Sequence, residues 1–255
     1  MKTVSRLSIA PVKGMALVHP DEIALEHFGV AANRRFFVID EDGLRYAQIR
    51  NGTLVRIAPA HDEATGRLAL RFPDGSVVDG VPELAEEIVT DFYGRPVRGR
   101  VVAGAWADAI SAYAGRPLRL VRSEEPGAGV DRGLGPVTML SDASLEELGR
   151  QAKVGGVDAR RFRMLIGIAG CRAHEEDEWL GGLVRVGEAV VRLHEQVARC
   201  AITTQHPDSG RPDFDTLREI KDYRGMRDKG IDFGVFGEVE LPGRVRVGDP
   251  VEPLA

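Results

Sequence analysis

Apolar and polar residues alternate along this chain in short runs punctuated by glycine. "TVSRLSI" (3–9), "DEIALEH" (21–27), "RRFFVID" (34–40) and "TLVRIAP" (53–59) carry the two-residue period of a half-buried strand. "RLALRF" (67–72) and "SVVDG" (76–80) repeat that period across a Pro-Asp-Gly turn signal, which predicts a hairpin. Further along, "PLRLVR" (117–122), "FRMLIGI" (162–168), "LVRVGEAVVRLHE" (183–195) and "VARCAITT" (197–204) continue the pattern. "FGEVELPGRVRVGDPVE" (236–252) alternates closely enough to predict a closing hairpin.

Three segments are spaced as helices instead. Residues 81–94 have Pro82 near a first turn and place Leu84, Ile88 and Phe92 four apart. Residues 141–152 set Ser144 and Glu147 in a capping-box relation, with Leu145, Leu148 and Ala152 on one face. Residues 214–225 repeat the device with Thr216 and Glu219, and Phe214, Leu217 and Ile220 form the stripe. Many strands with a few short helices predict a mostly β (α+β) chain of barrel or sandwich type, not a parallel α/β sheet. Glycines and prolines interrupt the pattern in "SEEPGAGVDRGLGP" (123–136), the best linker candidate. A boundary there divides the chain into two β-rich, barrel-like domains, 1–122 and 123–255.

Composition narrows the chemistry. A length of 255 residues suffices for two modest cores, and a net charge of -5 argues against a general nucleic-acid binder. The N-terminus lacks the apolar run of a signal peptide, and no stretch has the length of a membrane span. Two cysteines, Cys171 and Cys200, cannot build a disulfide framework and favour a reducing compartment. The expectation is a soluble cytoplasmic protein. There is no phosphate loop of the Walker type, no nucleophile elbow, no Cys-x-x-Cys and no zinc-like histidine spacing.

Cys200 admits two readings. A lone cysteine in a strand usually packs as a small hydrophobe. A thiolate stabilised by nearby cations would instead attack, or bind a soft metal. Its neighbour Arg199 would point to the opposite face of a regular strand, so an activating cation should come from elsewhere. "DARRFR" (158–163) offers one: on a strand, Arg161 and Arg163 would share a face suited to an anionic phosphate or pterin-type ligand. A solvated basic edge is the plainer account of the same residues. "HEEDEWLGG" (174–182) reads as an exposed acidic loop, since its acids lack the spacing of a calcium loop. Lys13, in "APVKGM", taken alone is an exposed turn lysine.

Together these pieces resemble one family. "LSIAPVKGM" followed by "GVAANRRFFVIDEDG" is similar to the N-terminal β-barrel of MOSC proteins, and "PVTMLSDASLEEL", "DARRFR", "EEDEW" and "ARCAITTQHPDSG" resemble the MOSC domain in family order. The resemblance spans nearly the whole chain and includes the amidoxime-reducing type of enzyme. It implies a molybdopterin-type molybdenum cofactor held between two β-rich domains, and a reductase of N-hydroxylated or N-oxygenated compounds. It assigns Cys200 as the metal's protein thiolate and catalytic residue, with Lys13, Arg34, Ser141, Arg161 and Arg163 as cofactor contacts. The family's general description adds pyridoxal phosphate binding. Electrons would come from a separate ferredoxin- or flavin-type protein, and the substrate would be a small molecule, with no nucleic acid or membrane involved. A non-catalytic cofactor carrier or sulfur-delivery module using Cys200 is the alternative, and a degenerate barrel binding another anion is a third. The chain departs from the family pattern at Asn33, at Met164-Leu165 and at Gln205-His206.

Overall fold

The computed structural model describes residues 1–127, 135–227 and 230–254. Strands are numbered along the chain. A seven-stranded sheet holds β1 (Thr3–Leu7), β11 (Val137–Ser141), β12 (Ile166–Ala169), β13 (Leu183–Val186), β14 (Ala189–Ala198), β15 (Asp232–Leu241) and β17 (Val251–Leu254). Its order is β1-β12-β11-β15-β14-β13-β17. The two edges nearly meet: Thr3 bridges Pro250, Val4 N–H donates to Asp249 O (2.8 Å) and Val251 N–H to Lys2 O (3.0 Å). The sheet is thus a nearly closed barrel, filled by inward apolar residues such as Val4, Ile166, Ile168, Val184, Leu193 and Val235.

The first half contributes a five-stranded sheet and a three-stranded meander. The sheet runs β4-β3-β10-β9-β8, from β3 (Phe36–Ile39), β4 (Arg45–Tyr46), β8 (Leu84–Phe92), β9 (Arg95–Val102) and β10 (Arg119–Ser123). The meander is β5 (Ala58–Asp62), β6 (Arg67–Arg71) and β7 (Val77–Gly80). Phe36, Leu54, Ile57, Leu70 and Leu120 join them into one core, closed by Trp106 and Ile110 of helix α1 (Ala105–Ala114). A further pair, β2 (Glu22–Leu25) with β16 (Gly243–Arg246), ties the start of the chain to its end. β1 and β2 therefore both hydrogen-bond into the second half, across the division at 122/123. Residues 128–134 of the linker candidate lie outside the described residues.

Several expectations are corrected. Within 81–94, Leu84–Phe92 form strand β8, not a helix: a spacing of four is also an even spacing, so Ile88 and Phe92 share one face of a strand and pack beside Phe37 and Val97. Residues 53–59 begin as a 3-10 turn, Gly52–Arg56, capped by Asn51. In 162–168 the strand starts only at Ile166, after a 3-10 turn over Ala159–Phe162. In 197–204, β14 stops at Ala198 and another 3-10 turn covers Ala201–Thr204. The closing segment is no hairpin, because β16 pairs β2 and β17 pairs β13. Helices α2 (Asp142–Gln151) and α3 (Thr216–Arg224) form where expected, but their caps are Ser141 and Asp215, ahead of Ser144 and Thr216. Helix α1 carried no side-chain cap signal, since its N-cap is Gly104.

Candidate functional site

A cavity of about 540 Å³ opens where the two halves meet, and Lys13, Arg34, Arg161, Arg163 and Cys200 all line it. Cys200 is exposed there, two residues past the end of β14. Its carbonyl accepts Thr203 N–H (3.1 Å) and Thr203 Oγ1–H (3.1 Å), and Thr203 Oγ1 lies 2.6 Å from Thr216 Oγ1 at the start of α3. The thiol therefore sits on an anchored turn and not in a strand.

Lys13 is placed by the turn after the first strand, where its own N–H donates to Phe36 O (2.8 Å). Gly14 follows at φ 84, and a Cβ there would lie 3.1 Å from Gln48 N. Glycine is thus required twice over, by the backbone conformation and by the close approach. Asn33, in place of the family's aspartate, is buried; its Oδ1 accepts both Ala10 N–H and Arg34 Nη1–H at 3.0 Å. The amide oxygen thus supplies the acceptor that a carboxylate would, and the departure leaves this turn intact.

The arginines divide by partner. Arg161, nearly buried, makes a bidentate pair with Asp213 (both N···O 2.7 Å), which holds Asp213 below the usual carboxylate range through the Arg161 hydrogen bonds. It fastens the Ala159–Phe162 turn to the segment following Cys200. Arg160 goes to Asp158 and Asp208. Arg163 donates to Met15 O (2.8 Å), joining the Lys13 turn to the second half. Arg199 also lines the cavity, yet its guanidinium donates to Phe162 O (3.1 Å), to Phe233 O and to Met164 Sδ (2.8 Å). Met164, the second family departure, is therefore a buried acceptor for Arg199, and Leu165 packs in the barrel core. In the third, buried Gln205 lines a neighbouring cavity of about 420 Å³ and donates to Gln48 O (3.4 Å), while His206 Nδ1 accepts Asp208 N–H (3.1 Å).

Ser141 stands apart. It is fully buried and caps α2, with its Oγ accepting Ser144 N–H (3.1 Å) and lying 2.7 Å from Ser144 Oγ. That oxygen is committed to the helix terminus, so the structure does not bring Ser141 into the cavity with the other five.

Backbone strain marks the same place. Five non-glycine residues among those described have positive φ, and three of them line this cavity: Arg34 (58°), Tyr93 (58°) and Arg163 (52°). Such conformations cost on the order of 1–3 kcal/mol each and gather at functional sites. Tyr93 and Arg199 had no place in the sequence reading of the site. Tyr93 lay at the end of an expected helix, and the two-residue period sent Arg199 to the opposite face.

The fold is thus a nearly closed β-barrel joined to a second β-rich unit, with a cation-rimmed, thiol-bearing cavity at their junction. Residues 132–252 match the model of the MOSC domain and residues 1–97 that of the MOSC N-terminal beta barrel domain. The chain belongs to the MOSC-domain proteins that carry this N-terminal barrel. It is 27% identical to mitochondrial amidoxime-reducing component 1 of Mus musculus, over 98% of this chain and 81% of the relative. It is 28% identical to mitochondrial amidoxime reducing component 2 of Bos taurus, over 98% of this chain and 82% of the relative. Among solved structures, the YuaD protein of Bacillus subtilis superposes with a TM-score of 0.46 at 12% identity, covering 99% of this chain and 96% of that one. Among the described residues, no helix is long and apolar enough to cross a membrane.

Proposed function

We propose that this chain is a molybdenum-cofactor-dependent reductase of N-hydroxylated or N-oxygenated compounds, with Cys200 as the thiolate that ligates the metal. The observation that carries the reading is the exposed Cys200 thiol in a cavity shared with Lys13, Arg34 and Arg163. A soft thiolate suits a soft, redox-active metal, and the cations suit a phosphate and a dithiolene. No three His, Cys, Asp or Glu side chains among the described residues converge as a metal site. A metal at Cys200 would therefore arrive with its other ligands already attached, as a pterin dithiolene provides. Relatives bearing the amidoxime-reducing name over nearly the whole chain support the same class.

When bound, the cofactor supplies the two-electron chemistry that removes oxygen from nitrogen. The protein's share is position and charge. Lys13, Arg34 and Arg163 hold the anionic cofactor, Arg161 and Thr203 fix the Cys200 turn, and Arg199 locks residues 162–164 against that turn. Electrons enter from a separate electron-transfer protein of ferredoxin or flavin type. The test is elemental and spectroscopic analysis of wild type and Cys200→Ala from a molybdenum-replete host, with benzamidoxime turnover in parallel. Wild type is expected to hold molybdenum and turn over, while Cys200→Ala loses turnover and normal metal ligation. Equal molybdenum with unchanged metal spectra would sink the ligand assignment, and a loaded wild type without turnover would favour a carrier.

A further inference from the structure

We infer that the cavity beside the thiol site is a carboxylate-binding pocket with Arg56 as its cation, so that the preferred N-hydroxylated substrate is itself an acid. The inference rests on the reductase reading above. This second cavity, of about 420 Å³, shares Gln48, Arg161 and Arg163 with the cavity that holds Cys200, so the two adjoin. A molecule with its reacting nitrogen near the thiol can therefore extend its far end past Gln48 into the neighbouring space.

The charges of the pocket single out one residue. Arg160 is held by Asp158 and Asp208, and Arg161 by Asp213. Arg163 donates to Met15 O. Arg56 ends the 3-10 turn Gly52–Arg56 and is exposed at the pocket, and among the described residues it has no ion pair. One unspent guanidinium matches the fork of one carboxylate. A phosphate dianion suits it less, because Asp208 on the same lining would repel the second charge.

Two amides add to the case. Gln48 is 3% exposed and Gln205 8%, and both line the pocket. Gln205 Nε2 donates to Gln48 O, but neither side-chain oxygen has a hydrogen-bond partner. Buried amide groups are nearly always paired, so unspent ones on a cavity wall mark where a bound molecule completes the pairing. An amidoxime brings N–H and O–H donors for such oxygens. Leu17 and Val55 supply an apolar stretch of wall for the spacer between the two ends. The walls are also held at a fixed distance. Gly52, which opens the Arg56 turn, touches Gly210 so closely that a Cβ on either would collide with the other's carbonyl oxygen. A pocket fixed before binding loses little freedom when it is filled. Gln205 is one of the positions at which this chain leaves the family pattern, so the selection is a property of this chain.

The test uses benzamidoxime, its 4-carboxy and 4-carboxymethyl derivatives, and the methyl ester of the 4-carboxy compound. Binding is measured by calorimetry without reductant, on the full-length protein from a molybdenum-replete host. Wild type is expected to bind at least one of the two acids about fivefold more tightly than benzamidoxime or the ester. Arg56→Gln should erase that advantage while changing benzamidoxime affinity by less than about twofold, and Arg56→Lys should keep part of it. No preference for either acid in wild type, or the same preference in Arg56→Gln, would overturn the pocket. If the preference appears and depends on Arg56 but reductant gives no turnover, the pocket stands and the reductase reading falls.

Discussion

Cys171 and Cys200 each sit two residues past the end of a strand, β12 and β14 respectively, and the fold then gives them opposite surroundings. Cys171 is half-buried against the barrel core, near Glu176, Glu175 and Asp142. Burial first, and then the acids, push its thiol up to about 12. Glu176 is itself fully buried, and its Oε1 accepts Ser141 N–H (3.2 Å) and Ser144 Oγ–H (2.8 Å); burial raises its pKa as well. Cys200 opens instead into a cavity rimmed by arginines and a lysine. Reactivity here is decided by the sign and wetness of the surroundings. The residue type is identical, and so is its place at a strand end.

The largest effect expected is on turnover. Replacing Cys200 by serine should cost more than the 10–100-fold or so that loss of a supporting group costs a metal site, while Cys171→Ala keeps wild-type rates with a reduced viologen donor. Comparable losses at the two sites would dissolve the contrast. Alkylation comes next. At pH 8 a thiol with a pKa of about 12 is ionised to about one part in ten thousand. Iodoacetamide should therefore mark Cys200 at least about a hundredfold faster than Cys171 in molybdenum-free protein, read by peptide mass spectrometry. Loading with cofactor should slow labelling at Cys200 alone.

The acidic side can be probed by pH. Burial lowers His174 from 6.5 to about 4, so as pH falls the unfolded chain takes up this proton first. The linked stability is fully present above 6.5 and drains away towards 4, by up to about 2 kcal/mol at pH 5. Urea midpoints at pH 7 and 5 should separate more in wild type than in His174→Gln, and equal separations would remove His174 from the account. The smallest effect is at Ser141. Its alanine variant should lose about 1 kcal/mol of stability as a lost cap, with molybdenum content unchanged. A fall in molybdenum would return Ser141 to the cofactor.

Much of the sheet structure was legible because half-buried strands announce themselves, as β2, β6 and β13 did. Errors arose where one spacing fits two structures. Ile88 and Phe92 suit a helix turn and a strand face alike, and only pairing with β9 decides between them. "VARCAITT" alternates like a strand, yet pairing stops at Ala198↔Asp232 and Cys200 caps a turn. Local patterns marked Cys200, Arg161 and Arg163 one by one but could not assemble the site. Lys13, Arg34, Arg163 and Cys200 lie far apart in sequence, and only their resemblance to a family drew them together before the cavity did. Ser141 was drawn in by the same route, although its oxygen serves a helix end. Tyr93 left no trace, because its significance depends on a hairpin the spacing concealed.

The pairing of β2 with β16 has a consequence for synthesis. Ile23 cannot meet Val245 until the more than two hundred residues between them have been made. The core around Phe36, Leu70 and Leu120 can condense long before then, leaving β2 waiting beside it without its partner. Residues 243–246 are therefore needed to secure residues 22–25, and a nascent chain cut short before Gly243 would leave β2 unpaired.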